Sequence, residues 1–399
     1  MLTDRHEPWT GQVWTGQARS GEAGTGQAGT GEAWTGQVWT GQARSGEAGT
    51  GQARSGEAGT GQAGTGQAGT GQATGRRSAA PMRAGRAAGP DGAAGSSRIV
   101  VADDGVELYV TVDGPADAET TLVFCHGLSS CLECWENQRT FFAGRARVVT
   151  YDQRGHNRSG RGSAGSATVA QLGRDLCRIL VEVVPAGPVI LVGHSMGGMA
   201  IMALAHAHPE LFGRRIVGVA LLATSAGGLG GVTLGLPACG ARLLRPLVPA
   251  LLRLLGDDPA RPGRPAVDEV VQLLVRRYSY ASQVPSSVRE AAVRVICSAP
   301  AQVFRDFYPA LMAYDGFAAL AALREIPILV MVGRDDLVTP VGHSEAIAGA
   351  LSSARLVVLP KTGHNLMLER PLVVNTALGR LLRLVTRPGP ALRELPAAC

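Results

Sequence analysis

The sequence predicts an α/β domain, a mostly parallel sheet covered by helices and interrupted by an all-helical insertion, behind a tail that stays outside the fold. Three observations lead there. Between residues 98 and 224, short apolar runs alternate with stretches of helical spacing, the pattern of βαβ units. The alternation stops over residues 225–322 and resumes at Pro327. Residues 1–97 are rich in Gly, Ala, Thr and Gln with almost no Leu, Ile or Phe, a composition that cannot bury enough apolar surface to offset chain entropy and is expected to be disordered. The predicted division is a low-complexity tail over 1–97, a core from 98–224 and 323–388, a helical cap over 225–322, and a C-terminal tail over 389–399.

Within the tail, residues 9–73 repeat every five residues, thirteen times, mostly as x-Thr-Gly-Gln-Ala or Arg-Ser-Gly-Glu-Ala. The period is too short and too polar for a solenoid, and Gly every fifth residue is wrong for collagen. Wherever Arg opens a unit, Ser and Glu follow. Such coupling is expected of a translated tandem DNA repeat, with a start downstream at Met82; a flexible linker or tail is the alternative.

Composition excludes several classes. The net charge is +6, but the basic residues are scattered and aromatics few, so no nucleic-acid footprint is predicted. Nearly all positive charge is Arg, with Lys361 the one lysine, which reads as coding bias. No run of 18 apolar residues occurs, so no membrane span is expected. The N-terminus lacks an apolar leader segment, so a cytoplasmic protein is expected. Seven cysteines, an odd number in a chain this long, argue against a disulfide framework. The lone pair Cys131-Leu132-Glu133-Cys134 reads as reduced thiols rather than a metal site. Oligomeric state is not legible.

Along the core, residues 98–112 alternate around Asp103-Asp104-Gly105, with Ile99, Val101, Val106, Leu108 and Val110 as the apolar set, a hairpin signal. Thr121–Cys125, Arg147–Tyr151, Pro188–Val192, Ile216–Ala223, Pro327–Val332 and Arg355–Leu359 read as buried strands. Thr168–Val184 and Met196–His208 read as helices, the second stopped by Pro209. In the insertion, Ala241–Leu255 and Val267–Tyr278 have helical spacing. Arg242–Leu255 mixes Leu with Arg, as a cap helix burying its Leu face would.

Gly193-His194-Ser195-Met196-Gly197 sits between a buried strand and a helix. Glycines on both sides let strand and helix meet in a tight turn that pushes Ser195 out at the strand's carboxyl end, beside a helix N-terminus. A serine hydroxyl needs a base. His364 follows a late strand and can reach that edge. His194 is adjacent to Ser195, His126 and His156 lie in other motifs, His206, His208 and His343 fall on helices or their ends, and His6 is in the tail. An acid must orient the base. Asp336 is favoured by its spacing to Pro340, with Asp335 as the alternative. The donors for an oxyanion are expected to be the N–H groups of Met196 and Leu128, with Gly127 letting the chain bend over the site.

These motifs give the chain from about residue 98 to 386 its resemblance to the α/β-hydrolase fold superfamily. They are His126-Gly127 with Trp135; Asp152-Gln153-Arg154-Gly155-His156-Asn157-Arg158-Ser159, with Asn157 where the family often has Gly; Gly193–Gly198; Gly333, Asp336 and Pro340; and Gly363-His364 followed by Glu369 and Pro371. The resemblance implies an eight-stranded, mostly parallel twisted sheet, a helical cap, no cofactor and no metal, with His126, Asp152, Arg154 and His156 structural. It implies two-step acyl transfer from a small, largely apolar ester, thioester or lactone. Hydrolysis of a C–C bond next to a carbonyl is the alternative, with Arg242, Arg245, Arg253, Arg276 or Arg277 holding a carboxylate. A slow-turnover ligand-binding receptor is another.

Overall fold

The computed structural model describes residues 14–15, 95–235, 277–288, 290 and 301–386. Eight strands between Ser96 and Leu359 form one twisted, mostly parallel sheet: β2 (Ser96–Val101), β3 (Glu107–Asp113), β4 (Thr121–Cys125), β5 (Arg147–Tyr151), β6 (Val189–His194), β7 (Ile216–Leu222), β8 (Ile328–Gly333) and β9 (Ala354–Leu359). The two-residue β1 (Trp14–Thr15) adds in parallel beside Val357 and Val358, giving the order β1-β9-β8-β7-β6-β4-β5-β3-β2. β3 alone runs against its neighbours. Thus residues 14–15 and 96–97 join the sheet; residues 1–13 and 16–94 of the expected tail, the stretch Ala241–Leu255 and residues 389–399 lie outside the described residues.

The predicted strands fall within two residues of their expected ends because their signal is local. β4, β6 and β8 are buried at every position, as strands covered on both faces must be, and so read as unbroken apolar runs. On one face lie α2 (Val169–Val183) and α3 (Met196–Ala207); on the other lie α1 (Glu136–Phe142) and α7 (Pro371–Val385), each over its own apolar cluster. Helix α2 starts at Thr168, whose hydroxyl accepts the Gln171 N–H at 3.1 Å, a serine/threonine cap that satisfies one free donor. Further helices are α4 (Ala301–Met312), α5 (Val341–Ala350) and the one-turn α6 (Leu366–Glu369).

The hairpin forms with Val101 opposite Glu107, but its apolar alternation is shifted on the first strand. Val100 is buried, while Ile99 and Val101 are 46% and 48% exposed. β2 is an edge strand with one covered face, and three successive apolar residues cannot say which one turns inward. In the insertion between β7 and β8, Val267–Tyr278 lies outside the described residues apart from the helical turn that begins at Arg277. No helix among the described residues is long and apolar enough to cross a membrane. Cys125, Cys131 and Cys134 are free and buried. Cys177, outside the Cys131–Cys134 pair, is disulfide-bonded.

Arg154 is the central buried charge. Its side chain is 2% exposed and forms a two-pronged pair with Asp175 at 2.6 Å, plus contacts to Asp104 at 2.7 and 3.1 Å. Gln171 ties Asp175 to Asp103, so the hairpin, the loop after β5 and α2 meet at one guanidinium. Removing one partner of such a pair strands the other charge in a dry site, which costs about 3–5 kcal/mol. Arg154→Met is therefore expected to lower unfolding free energy by about that amount, measured by urea denaturation; a loss under about 1 kcal/mol, the value of an exposed pair, would contradict this assignment.

Candidate active site

Chain order decides where a site can form. From β4 the chain moves outward to β5, then returns to the other side of β4 as β6 and proceeds to β7. The crevice at the carboxyl ends of β4 and β6 is the point where strand order reverses, the usual ligand position in open α/β sheets. Gly127 and Leu128 follow β4 there, and Ser195 follows β6.

Ser195 sits at φ 52°, ψ −118°, a region that side-chain-bearing residues avoid and that persists only when the surroundings enforce it. They do so by crowding. A Cβ at Gly193 would lie 2.6 Å from the backbone of Gly197 and Gly198, and one at Gly197 would overlap the Cys125 carbonyl. The Ser195 N–H donates to Leu222 O at 3.0 Å. Its carbonyl accepts from Gly198 N–H at 2.9 Å and from the Thr224 hydroxyl at 2.7 Å. Both neighbours, His194 and Met196, are buried, while Ser195 is partly exposed. The turn thus turns one hydroxyl outward and nothing else.

Asp336 follows β8 and His364 follows β9. The His364 Nδ1 donates to Asp336 Oδ2 at 2.8 Å. That carboxylate also accepts from the N–H groups of Val338 (2.8 Å) and Thr339 (2.9 Å) and from the Thr339 hydroxyl (2.8 Å). Burial alone would raise the Asp336 pKa, but the His364 ring and the Thr339 donors outweigh it and hold the group below its ordinary value. An ionised acid on Nδ1 leaves Nε2 of His364 as the basic nitrogen. Asp335 is exposed, and its backbone N–H goes to Thr362 O at 3.0 Å; of the two carboxylates, Asp336 is the one that touches the ring.

His364 lies against the Ser195 turn through His194. The two rings are 4.7 Å apart between centroids, and His194 Nε2 donates to His364 O at 3.0 Å. Burial, then the His364 ring, push His194 down to about 3, so it is a neutral strut. No hydrogen bond joins the Ser195 hydroxyl to the His364 ring in this structure; catalytic contacts of this kind often tighten only when substrate is bound.

The loop after β4 is held from behind by two neutral histidines. His126 Nδ1 donates to the Gly127 carbonyl at 2.7 Å, and its Nε2 accepts the Gln153 N–H at 2.8 Å. In a trans peptide the carbonyl and the following N–H point opposite ways, so pinning Gly127 O inward turns the Leu128 N–H away from His126. His156 Nε2 accepts the N–H of Ser129, itself at φ 53°, at 3.1 Å. Asp152 gathers the Leu132 N–H (2.9 Å), Asn157 (3.1 Å) and Arg158 (3.2 Å). His126, Asp152, Arg154 and His156 thus hold backbone or buried charge, as the sequence implied. Asn157, at φ 46°, fills the position where the family often has Gly. Asn tolerates that left-handed turn better than other side chains, and its amide reaches Asp152.

Three supporting residues were missed from the sequence: Thr224, Thr339 and, as a bonded group, Glu369. A lone threonine in a loop carries no signal until its partner is placed beside it. Among the described residues one group could gather a cation, Cys131, Glu133 and Asp152, with ligand atoms within 4.8 Å of one another. Arg158 already pairs with both carboxylates, and burial raises the Cys131 thiol. This is an ion-pair cluster.

A mostly parallel sheet with a strained serine turn at β6 and a buried acid–imidazole pair across the crevice defines the class of hydrolases built on an α/β sheet. Comparison with known proteins agrees on the family. The sequence model of the alpha/beta hydrolase family matches residues 122–377, and the chain belongs to that family. It is 28% identical over 273 residues to a Caulobacter sp. (strain K31) protein named "Putative carbamate hydrolase RutD", covering 68% of this chain and 94% of that one. A hydrolase of solved structure from Pseudomonas aeruginosa PA01 superposes with a TM-score of 0.58 at 26% identity, over 72% of this chain and 99% of that one. The enol-lactonase of Burkholderia xenovorans LB400 shares the fold, with a TM-score of 0.58 at 23% identity over 72% and 100% of the two chains.

Protonating His156 would turn its Nε2 from acceptor to donor and repel the Ser129 N–H. Burial lowers its pKa from 6.5 to about 4, and burial likewise lowers His126 and His194. Histidines depressed in the folded state contribute stability that is fully present above the unfolded value of 6.5 and is lost as pH falls toward about 4. Urea midpoints measured from pH 7 to pH 4 are expected to fall, and the fall should be shallower in His156→Asn. A slope equal to that of the wild type would show that His156 does not contribute.

Proposed function

We propose that the protein is a serine hydrolase that cleaves a carboxylic ester, thioester or lactone of a small, largely apolar substrate through an acyl-enzyme. The observation that carries the reading is the buried Asp336–His364 pair at 2.8 Å beside the strained Ser195 turn. Ser195 Oγ attacks the carbonyl while His364 Nε2 takes its proton. The alkoxide departs with that proton, and His364 then activates water to release the acid. The Met196 N–H, at the first position of α3, has no intrahelical acceptor. Together with the Leu128 N–H it is the proposed oxyanion pair. The preference for an apolar group rests on the insertion residues buried near the site. Helix α4 lays Val303 against Gly155 and Phe307 against His156, and Tyr314 reaches Met199.

Two other readings stay within the family. C–C bond hydrolysis needs a cation for a substrate carboxylate. Of the candidate arginines, Arg277 is exposed and stacks on Tyr278 at 5.8 Å, and Arg242, Arg245, Arg253 and Arg276 lie outside the described residues. The relative's name adds a carbamate to the carbonyl substrates worth testing. A slow-turnover receptor is the third.

The test is a panel of p-nitrophenyl esters of rising chain length with a lactone, a carbamate and a 1,5-diketone, run on wild type and Ser195→Ala. Wild type should turn over esters or lactones fastest, and the alanine variant should lose more than about 10,000-fold in kcat/KM. Equal activity in the two would defeat the assignment; fluorophosphonate labelling of Ser195 without turnover would favour the receptor. In Thr339→Val, Asp336 loses one charge-assisted hydrogen bond, and kcat should fall about tenfold with KM little changed.

A further inference from the structure

Glu369 ends α6, five residues after His364, and is 6% exposed. Its carboxylate touches no basic side chain among the described residues. It accepts backbone N–H groups from two separate parts of the chain. Oε2 accepts from Gly363 at 2.7 Å, the residue before His364. Oε1 accepts from Ser282 at 2.6 Å and Ala281 at 3.2 Å, which belong to the insertion between β7 and β8. The same insertion segment returns a bond on the other side of the imidazole, where the Asn365 N–H donates to Ser279 O at 3.0 Å. Packing between the two is tight: a Cβ at Gly363 would lie 2.9 Å from the backbone of Tyr280 and Ala281.

A buried carboxylate satisfied only by amide donors is costly unless those donors stay in place. We propose that Glu369 is a positioning residue that clamps the insertion segment Ser279–Ser282 onto the histidine loop, so that this segment and the base move as one unit. The substrate part of this inference rests on the Ser195–His364 reading above. The clamp makes Glu369 a determinant of acyl-chain preference: long acyl groups that reach the insertion depend on it more than an acetyl group does. Glu369→Gln separates these roles. It keeps the volume but replaces one oxygen with a donor, so it can serve the Gly363 N–H or the Ala281 and Ser282 N–H groups, not both.

Active-site titration with a fluorophosphonate gives rates per competent site. In Glu369→Gln, kcat/KM per site should fall for both esters, and at least about threefold further for p-nitrophenyl hexanoate than for the acetate. A purely structural role would reduce the number of titrated sites and leave the chain-length profile unchanged, and that result would overturn the proposal. Hydrogen exchange on the wild-type protein gives a second measurement that needs neither activity nor a variant. If the clamp is one unit, the Gly363, Ala281 and Ser282 amides open together and their protection factors agree within about tenfold. Larger divergence would overturn the clamp. Absence of ester turnover in the wild type would defeat the ester reading, and the exchange measurement would still decide on Glu369.

Discussion

The close approach of β6 and α3 at Ser195 is the constraint on which the rest of the structure depends. Gly193, Gly197 and Gly198 have no room for a Cβ; at Gly198 it would sit 2.6 Å from the Thr224 hydroxyl. That contact forces the left-handed backbone at Ser195. Left to itself this conformation costs on the order of 1–3 kcal/mol. Buried neighbours on both faces of β6 offset it, and the Leu222, Gly198 and Thr224 hydrogen bonds fix its direction. Strain stored here has one visible consequence: a single hydroxyl at the mouth of the switch-point crevice, at the start of a helix whose first N–H groups are unpaired.

The loops around that hydroxyl are built on a common plan, in which a buried side chain holds backbone rather than substrate. His126 holds Gly127, His156 holds Ser129, Asp152 holds Leu132, Asp336 holds Val338 and Thr339, and Glu369 holds Gly363. Loops at a sheet's carboxyl edge have no ladder of their own, so their amides need such partners. The histidines do this work only when neutral, because each uses one ring nitrogen as donor and the other as acceptor. Burial keeps them so. Electrostatics thus enters the architecture twice, once in groups kept uncharged and once in Arg154 and Asp336, kept charged by paired donors and acceptors.

The insertion between β7 and β8 is part of the same mechanics. Helix α4 packs Val303 and Phe307 on the loop after β5, Arg161 joins it through Asp306 at 2.7 Å, and the segment at Ser279–Ser282 lies on the histidine loop. The insertion therefore packs on both the loop after β5 and the loop that carries His364.

Much of this was fixed by the sequence alone. Buried parallel strands announce themselves as continuous apolar runs, so β4 through β9 were placed within two residues. The serine turn, the acid and the histidine stand in fixed order beside glycines that local sterics demand. Those signals are legible because their causes act over a few residues. Tertiary structure decided what depends on partners far along the chain. Val100 rather than Ile99 or Val101 faces inward because β2 happens to be an edge. Asp336 rather than Asp335 meets the ring because β8 and β9 run in register, Gly333 opposite Leu359. Thr224 and Glu369 gained their roles from contacts 29 and 88 residues apart. A hydrogen bond needs two groups within about 3 Å, and no local pattern encodes where the second one will be.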